Sequence, residues 1–487
     1  MPLKIFNTKS RNKEEFQPLH PPRVKMYVCG ITAYDYCHLG HARAAVIFDV
    51  IYRYLKHKGF DVHYVRNFTD IDDKIINRAN EAKRDWKEIA EQFIAAFHED
   101  MTALGNLPPT DEPRATEYIE AMQEMIARLI EKGIAYQAED ADVFYSVRKF
   151  PSYGELANKN IEELESGARV EIHEAKKDPL DFALWKGAKP GEPKWPSPWG
   201  DGRPGWHIEC STMSTRLLGP TLDIHGGGRD LTFPHHENER AQSEGALGQT
   251  FVRYWMHNGF VNLHADKMSK STGNFLTIRD VLKNYPRDAI RYFLLSSHYR
   301  SPLDFNDNNM REALTGVERV YQTLDRLAEF TGSDDSKSTA KDLQALHAEL
   351  DAFAGRFEAA MDDDFNTAQV LGACFELVRE INRFLDLSPQ AAPLAEVKRK
   401  AADCFALMQK NLGLFAEAPR QFLESRRQSA LKNLALSDDE IKTKITGRKA
   451  ARDAKDYKQA DKIRDELAAL GIILKDNPDG TTTWTVK

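Results

Sequence analysis

The passage from Val24 to Lys58 constrains this chain most. Val24-Lys25-Met26-Tyr27-Val28-Cys29-Gly30-Ile31-Thr32 is rich in β-formers and broken by a glycine, the pattern of a strand buried on both faces. Residues 39–58 then change to helical period. Ile47, Ile51 and Leu55 form one row at four-residue spacing, and Val46, Val50 and Tyr54 form the next. Lys58-Gly59 supplies a stop. Val62–Arg66 reads as the following strand, with helices over about 73–104. A buried strand feeding a helix and then another strand is the start of a parallel α/β sheet.

The junction of that strand and helix carries His38-Leu39-Gly40-His41. Unpaired backbone N–H groups and the helix dipole favour a phosphate there, and imidazole N–H groups can donate to its oxygens. Gly40 permits close approach. The plainer alternative is a pair of loop histidines that cap the helix. Some 230 residues later, Lys267-Met268-Ser269-Lys270-Ser271 places two ammonium groups on a short polar loop. Mobile lysines closing over a triphosphate would serve phosphoryl or adenylyl chemistry; a solvated basic loop is the alternative.

Four further groups have metal-ligand chemistry: Cys29, Cys210, His235 and Glu239. His235 and Glu239 are four apart after Pro234 and so share a helix face. Two thiolates, an imidazole and a carboxylate make a tetrahedral zinc set. His236 could replace His235, Cys37 is a competing thiol, and Cys29 could equally be a small buried hydrophobe.

Leu107-Pro108-Pro109 and Pro113 interrupt the first unit, and a helix over about 114–132 follows, with Tyr118, Met122, Ile126 and Ile130 at four-residue spacing. The stretch from Pro190 to Pro204 is rich in Pro and Trp. Residues 313–415 are nearly continuous helical pattern, as in Val317, Val320, Tyr321, Leu324 and Leu327, which implies a bundle. A polar loop lies at 332–340. The end reads as a basic helix, a strand at Gly471-Ile472-Ile473-Leu474, a turn at Asn477-Pro478-Asp479-Gly480 and a strand over Thr481–Val486. Accordingly, 1–118 and 205–260 are assigned to two halves of a nucleotide-binding domain and 119–204 to an insertion. Residues 261–312 form the lysine loop and a helical connector, 313–420 a helical bundle and 421–487 a small C-terminal domain.

Composition excludes several classes. Hydrophobic residues are 41% and charged residues 29%, the balance of a soluble globular protein. No apolar run has membrane-spanning length and no secretory signal is found. Five cysteines argue against a disulfide framework and for a reducing cytoplasm. Cys374 and Cys404 lie in amphipathic helical stretches and read as buried structural residues. No feature demands more than a monomer. The net charge of −7 is unevenly spread: residues 420–487 carry 15 Lys and Arg against 11 Asp and Glu. Such a tail can follow RNA phosphates, or it can be a solvated face of ion pairs.

Longer strings carry a specific resemblance. Met26–Thr32, Cys37–His41, Asn67-Phe68-Thr69-Asp70-Ile71-Asp72-Asp73-Lys74-Ile75 and Gly205-Trp206-His207-Ile208-Glu209-Cys210-Ser211 lead it. Asp223-Ile224-His225-Gly226-Gly227-Gly228, Phe233-Pro234-His235-His236-Glu237-Asn238-Glu239, the Lys267–Ser271 loop and Met361-Asp362-Asp363-Asp364-Phe365-Asn366-Thr367 continue it. The chain resembles the cysteinyl-tRNA synthetase family of class I aminoacyl-tRNA synthetases nearly end to end. One departure is Arg43-Ala44-Ala45, where members often carry Thr after the Arg; it lies within the helix, so little consequence is expected.

The resemblance implies a Rossmann-type α/β catalytic domain with an inserted connective domain near the tRNA acceptor end. A tRNA-binding α-helical bundle and a small C-terminal α+β anticodon-binding domain would follow. It implies activation of L-cysteine by ATP with Mg²⁺, and transfer to the 3′ end of tRNA(Cys). His38, His41, Lys267 and Lys270 would be catalytic. Gly30, Gly40, Gly227, Asp230 and Met268 would join them around ATP, with Asp230 or His225 reaching the ribose. Gly30, Thr32, Thr69, Trp206 and His207 would surround the amino acid. Cys29, Cys210, His235 and Glu239 would hold one zinc ion that takes the substrate sulfur, since zinc prefers thiolate to hydroxyl where a shape pocket discriminates poorly. Trp484 would be available for base stacking, or would pack against its own helix. An alternative is a ligase passing activated cysteine to an amino-sugar, as in mycothiol biosynthesis. Such ligases resemble a synthetase without the anticodon-binding end, which is present here. A retired synthetase fold that binds RNA without catalysis is a third reading, opposed by the intact histidine and lysine motifs.

Overall fold

The computed structural model describes every residue except 1, 139–140, 161–174, 264–265, 268–275, 433–435, 477–481 and 487. Alternation along the strand Arg23–Thr32 builds the centre of the fold. Val24, Met26 and Val28 enter one hydrophobic core, and Tyr27 enters another on the opposite face. The neighbouring strands behave alike, with Tyr64 and Ile224 on the first side and Val65 and Trp255 on the second. A sheet apolar on both faces is stable only with helices over each, the arrangement of a parallel sheet. Its order is Val252–Asn258, Leu222–Gly228, Arg23–Thr32, Asp61–Thr69, all parallel.

The chain leaves Arg23–Thr32 outward to Asp61–Thr69, then returns to the other side of the first strand through Leu222–Gly228. Strand order therefore reverses between Arg23–Thr32 and Leu222–Gly228. Loops leaving those two carboxyl ends diverge and open a crevice. Helix Leu39–His57 starts at this point, as expected for 39–58, and ends at Lys58. Helices Trp206–Leu218, His235–Leu247 and Ile119–Glu131 cover the opposite face through Ile208, Met213, Ala241, Met122 and Ile126. The helix expected from about 114 is a 3₁₀ turn, Ala115–Tyr118, before Ile119–Glu131. A four-stranded antiparallel sheet, Ala135–Gln137, Val143–Tyr145, Phe182–Gly187 and Gly202–Pro204, lies between that helix and Trp206–Leu218 in sequence.

Downstream, Ile278–Asn284, Arg287–Leu295 and the strand Leu303–Phe305 precede the bundle. Its first helix begins at Asp307, inside the stretch expected as connector. Asn306 caps it, accepting from the N–H of Asn309 at 2.9 Å, and Asp307 suits the positive end of the dipole. Asp307–Glu329, Ala340–Asp362, Thr367–Asp386 and Leu394–Leu412 make the bundle. Helix Pro419–Lys432 stays with it beyond the expected limit at 420, for Phe422 stacks on Tyr321 with centroids 3.9 Å apart. The tail holds two helices, Asp438–Asp453 and Tyr457–Ala469, and the hairpin Ile472–Asp476/Thr482–Val486 around a small core of Ile441, Leu467 and Ile472. Trp484 packs against that core, with the Arg427 guanidinium 4.8 Å from its ring centroid. Of the two roles open to Trp484, packing is the one observed. Among the described residues no helix is long and apolar enough to cross a membrane.

Candidate active site

The N-terminus of Leu39–His57 is closed by its own histidines. His38 is the cap: its Nδ1 accepts from Gly40 N–H at 3.0 Å, while His41 Nδ1 accepts from His38 N–H at 3.2 Å. The two rings stack, centroids 3.9 Å apart and 23° between planes. A neutral imidazole that accepts at Nδ1 carries its proton on Nε2, so each ring becomes a donor at Nε2. Capping is thus real here, and it orients the donors that a phosphate needs. Gly40 serves the cap as well as the cleft, since a Cβ there would lie 2.7 Å from the His38 ring.

A cleft of about 570 Å³ opens at the switch in strand order. Cys29, Gly30 and Thr32 line it from the strand, His38, Gly40 and His41 from the helix start, and Trp206 and Asp230 from the far side. Gly30 is needed by the sheet: its N–H donates to Asn67 Oδ1 at 2.9 Å, and a Cβ would meet the Asn67 carbonyl at 1.7 Å. Other expected positions fall elsewhere. Gly227 faces Leu231 and His236 behind the wall, and Gly228 lines the cleft instead. Thr69 is buried and spends its hydroxyl on Glu209 Oε2 at 2.5 Å. His207 sits behind His235, their Nδ1 atoms 2.8 Å apart. Ala44 lies in the wall, so the departure at that position faces the cleft and not the helix interior.

Two wall residues were not foreseen. Lys74 adds a cation, and the only hint of it was its place at the end of the Asn67–Ile75 string. Asn258 ends a sheet strand with Oδ1 buried and unbonded, which no local pattern announces. Met268 and Lys270 lie outside the described residues. Lys267 is described by its backbone alone, paired with Asn262 beside the cleft residue Val261.

Deeper in, the four proposed metal-ligating residues meet. Cys29 Sγ, Cys210 Sγ, a His235 ring nitrogen and a Glu239 oxygen all lie within 4.8 Å of one another. Cys29 Sγ is 3.8 Å from Cys210 Sγ and 3.4 Å from Glu239 Oε1, and His235 Nε2 is 3.0 Å from the same oxygen. A second set, Cys29, His225, His236 and Glu239, overlaps the first. The two sets differ in access. Trp206, 38% exposed, stacks on His235 at 4.2 Å and joins it to the cleft. His225 and His236 are wholly buried against Trp255, and His236 Nδ1 is engaged by His257 Nε2 at 2.8 Å.

The first set is also tightly coupled electrostatically. Burial and the neighbouring Cys210 push the Cys29 thiol well above its usual range. Burial also raises Cys210, but donation from Cys29 and the charge on His235 outweigh it and bring it down to about 6. Burial would lower His235, yet Glu239 and Cys210 hold it up at about 10. Glu239 stays well below the carboxylate range despite burial, because His225 and His235 face it. A thiolate, a carboxylate, a second thiol and an imidazole are a donor set that could hold a divalent metal.

Comparisons with known proteins find relatives along the whole chain. The family model of the class I (C) tRNA synthetase catalytic domain matches residues 15–315, that of the DALR domain 356–416, and that of the cysteinyl-tRNA ligase anticodon binding domain 439–484. The chain is 54% identical to the cysteine–tRNA ligase of Geobacter metallireducens and 53% identical to that of Geobacter sulfurreducens, each over 487 residues and the full length of both chains. Among solved structures, Mycobacterium tuberculosis methionyl-tRNA synthetase in complex with methionyl-adenylate superimposes with a TM-score of 0.60 at 16% identity, covering 82% of this chain and 93% of that one. An Agrobacterium radiobacter LeuRS–tRNA–LeuAMS complex gives 0.57 at 13%, covering 82% and 85%. At such identities the likeness is one of fold.

Proposed function

The chain belongs to the cysteinyl-tRNA ligase family of class I aminoacyl-tRNA synthetases, and on that premise we propose how its residues divide the reaction. As an enzyme of this family it joins cysteine to tRNA at the expense of ATP. In the first step the cysteine carboxylate attacks the α-phosphorus and diphosphate leaves. In the second a terminal ribose hydroxyl of tRNA(Cys) attacks the acyl carbon, and AMP leaves.

His38 and His41 donate from Nε2 to phosphate oxygens, with the N-terminus of Leu39–His57 adding its dipole. Lys267 and Lys270 neutralise the departing diphosphate, and Met268 lies between them on the same loop. Gly30 and Gly228 let the nucleotide approach the backbone, Gly227 supports that wall, and Asp230 accepts from the ribose. Mg²⁺ accompanies the triphosphate. Trp206 and Thr32 border the amino acid, while His207 and Thr69 hold His235 and Glu209 in place behind it. Cys29, Cys210, His235 and Glu239 would hold zinc, which would supply selection of a thiol over a hydroxyl. Most of the rate gain comes from positioning and charge, without a covalent enzyme intermediate.

The insertion, about 119–204, would meet the acceptor end, and the bundle with the basic tail would meet the tRNA body and anticodon. The protein would act as a cytoplasmic monomer. One observation supports this reading of the site: Cys29, a member of the proposed metal quartet, lines the same cleft as the paired histidines. The test is transfer of labelled cysteine to tRNA(Cys) with serine as competitor. Cysteine-specific charging is expected; cysteine-dependent diphosphate exchange without charging would point to a small-molecule acceptor instead.

A further inference from the structure

The helix His235–Leu247 is buried against the character of its own sequence. Every residue over 235–243 is buried, and all but Ala241 are polar or charged. Such a run reads as a solvated helix, because Glu and Arg are seldom fully buried unless paired. Its neighbour Ile119–Glu131 is held in the usual way, through Met122, Ile126 and Leu129. Apolar contacts have no preferred direction, so a helix resting on them can turn by a few degrees at little cost. A buried polar helix cannot, since a small turn leaves a charge or a hydrogen-bonding group without its partner.

The partners divide this helix into sides. His235 and Glu239 face the proposed metal set, and His236 meets His257. The remaining charged side is held by the insertion. Glu237 accepts from the N–H of Ala157 at 3.0 Å and from Arg240 Nη1 at 3.2 Å. Arg240 Nη1 also donates to the Ser152 carbonyl at 3.0 Å, and its Nη2 donates to Ser152 Oγ at 2.9 Å and to Glu155 Oε2 at 3.0 Å. Tyr153, itself buried, donates its hydroxyl to Asn238 Oδ1 at 2.5 Å. Glu237, Asn238 and Arg240 are interleaved in sequence with His235 and Glu239. The short segment 152–157 therefore grips the same stretch of helix that carries two of the four proposed ligands. Groups behind a metal ligand orient it and tune what it binds.

We propose that Ser152 and Tyr153 are positioning residues: the insertion sets the rotation of helix His235–Leu247, and thereby the direction in which His235 and Glu239 present their ligand atoms and the affinity for cysteine there. The proposal rests on the zinc reading given above.

Ser152→Ala and Tyr153→Phe each remove one hydroxyl and are made singly and together in the full chain, loaded with zinc or with cobalt(II). Both metals should bind at the wild-type stoichiometry. The visible absorption band of the cobalt protein should shift, and KM for cysteine in diphosphate exchange should rise about fivefold for each hydrogen bond lost. KM for ATP should stay at the wild-type value. Ser152→Thr, which keeps the hydroxyl, should behave as wild type. Leu377→Ala, in the bundle helix Thr367–Asp386, removes a buried side chain far along the chain and should lower Tm without moving the cobalt band. An unchanged band and an unchanged KM for cysteine in the double variant overturn the proposal. An equal band shift in Leu377→Ala overturns it too, because general loosening would then suffice. A wild type that takes up neither metal overturns the zinc reading and the proposal with it, whereas the other outcomes leave that reading standing.

Discussion

Arg43 is a full positive charge inside the protein, with no carboxylate paired to it among the described residues. Its guanidinium donates to the carbonyls of Phe260 at 3.0 Å and Ser301 at 2.6 Å, and lies 3.4–3.5 Å from Ser297 Oγ and the carbonyls of His298 and Tyr299. Burial lowers its pKa to about 10, which leaves it charged at neutral pH. It therefore ties the histidine helix to Phe260, a wall of the cleft. Arg43→Ala should cost about 3 kcal/mol, because several buried carbonyls lose a charged donor, and should raise KM for ATP in diphosphate exchange. Wild-type urea unfolding together with an unchanged KM would count against that role. If the proposed quartet holds zinc, Cys210→Ser should release it and abolish cysteine activation, because a serine hydroxyl is a poor zinc ligand. Full metal content in that variant would remove Cys210 from the ligand set. The quartet was legible as residue types, but the partners of Arg43 were not: they lie 217 to 258 positions away and follow no period.

At the scale of elements, the turn between Ala340–Asp362 and Thr367–Asp386 does more than reverse the chain. Asp364 and Phe365 take φ of 64° and 52°, left-handed values that ordinary side chains avoid. Asp364 is fully buried and accepts from the N–H of Phe6, the hydroxyl of Tyr299 and Nε of Arg300, each at 2.8 Å. Two residues earlier, Asp362 accepts from Tyr54 Oη at 2.8 Å and from Lys58 Nζ at 3.2 Å, both on the histidine helix or its cap. The bundle is thus clamped to the catalytic domain by carboxylates, which offsets the backbone strain. Asp364→Ala leaves three donors without an acceptor and should cost about 3 kcal/mol. Thermal unfolding would report it as a lower Tm, and an unchanged Tm would mean the clamp carries no stability. The sequence displayed this aspartate string through its resemblance, while the nearly continuous helical pattern of 313–415 gave no sign of a turn there. Nothing in that pattern could say that the turn reaches Phe6.

At the scale of the molecule, the tail has its own small core around Ile441, Leu467 and Ile472, separate from the two cores that flank the sheet. Truncation after residue 432 should therefore weaken tRNA charging severely while diphosphate exchange persists. Equal loss of both would mean that the tail supports the catalytic fold. The buried strand 24–32, the helix that follows it, the α/β class and the helical pattern of 313–415 were determined by sequence alone, whereas the hairpin Lys4–Asn7/Asn12–Glu15 and the antiparallel sheet of the insertion were not. Period, propensity and capping are interactions among near neighbours, so they survive in a one-dimensional reading. Which side of an element meets which partner was decided only in three dimensions. Spacing placed His235 and Glu239 on one face, but the stacked Trp206 shows that His235 borders the cleft, while His236 bridges His257 and Cys29 deeper in. Thr69 and Gly227, read as lining positions, are taken up by Glu209 and by the packing of Leu231 and His236. Such assignments depend on atoms far apart in sequence coming within a few ångströms, and only the packed chain holds them there.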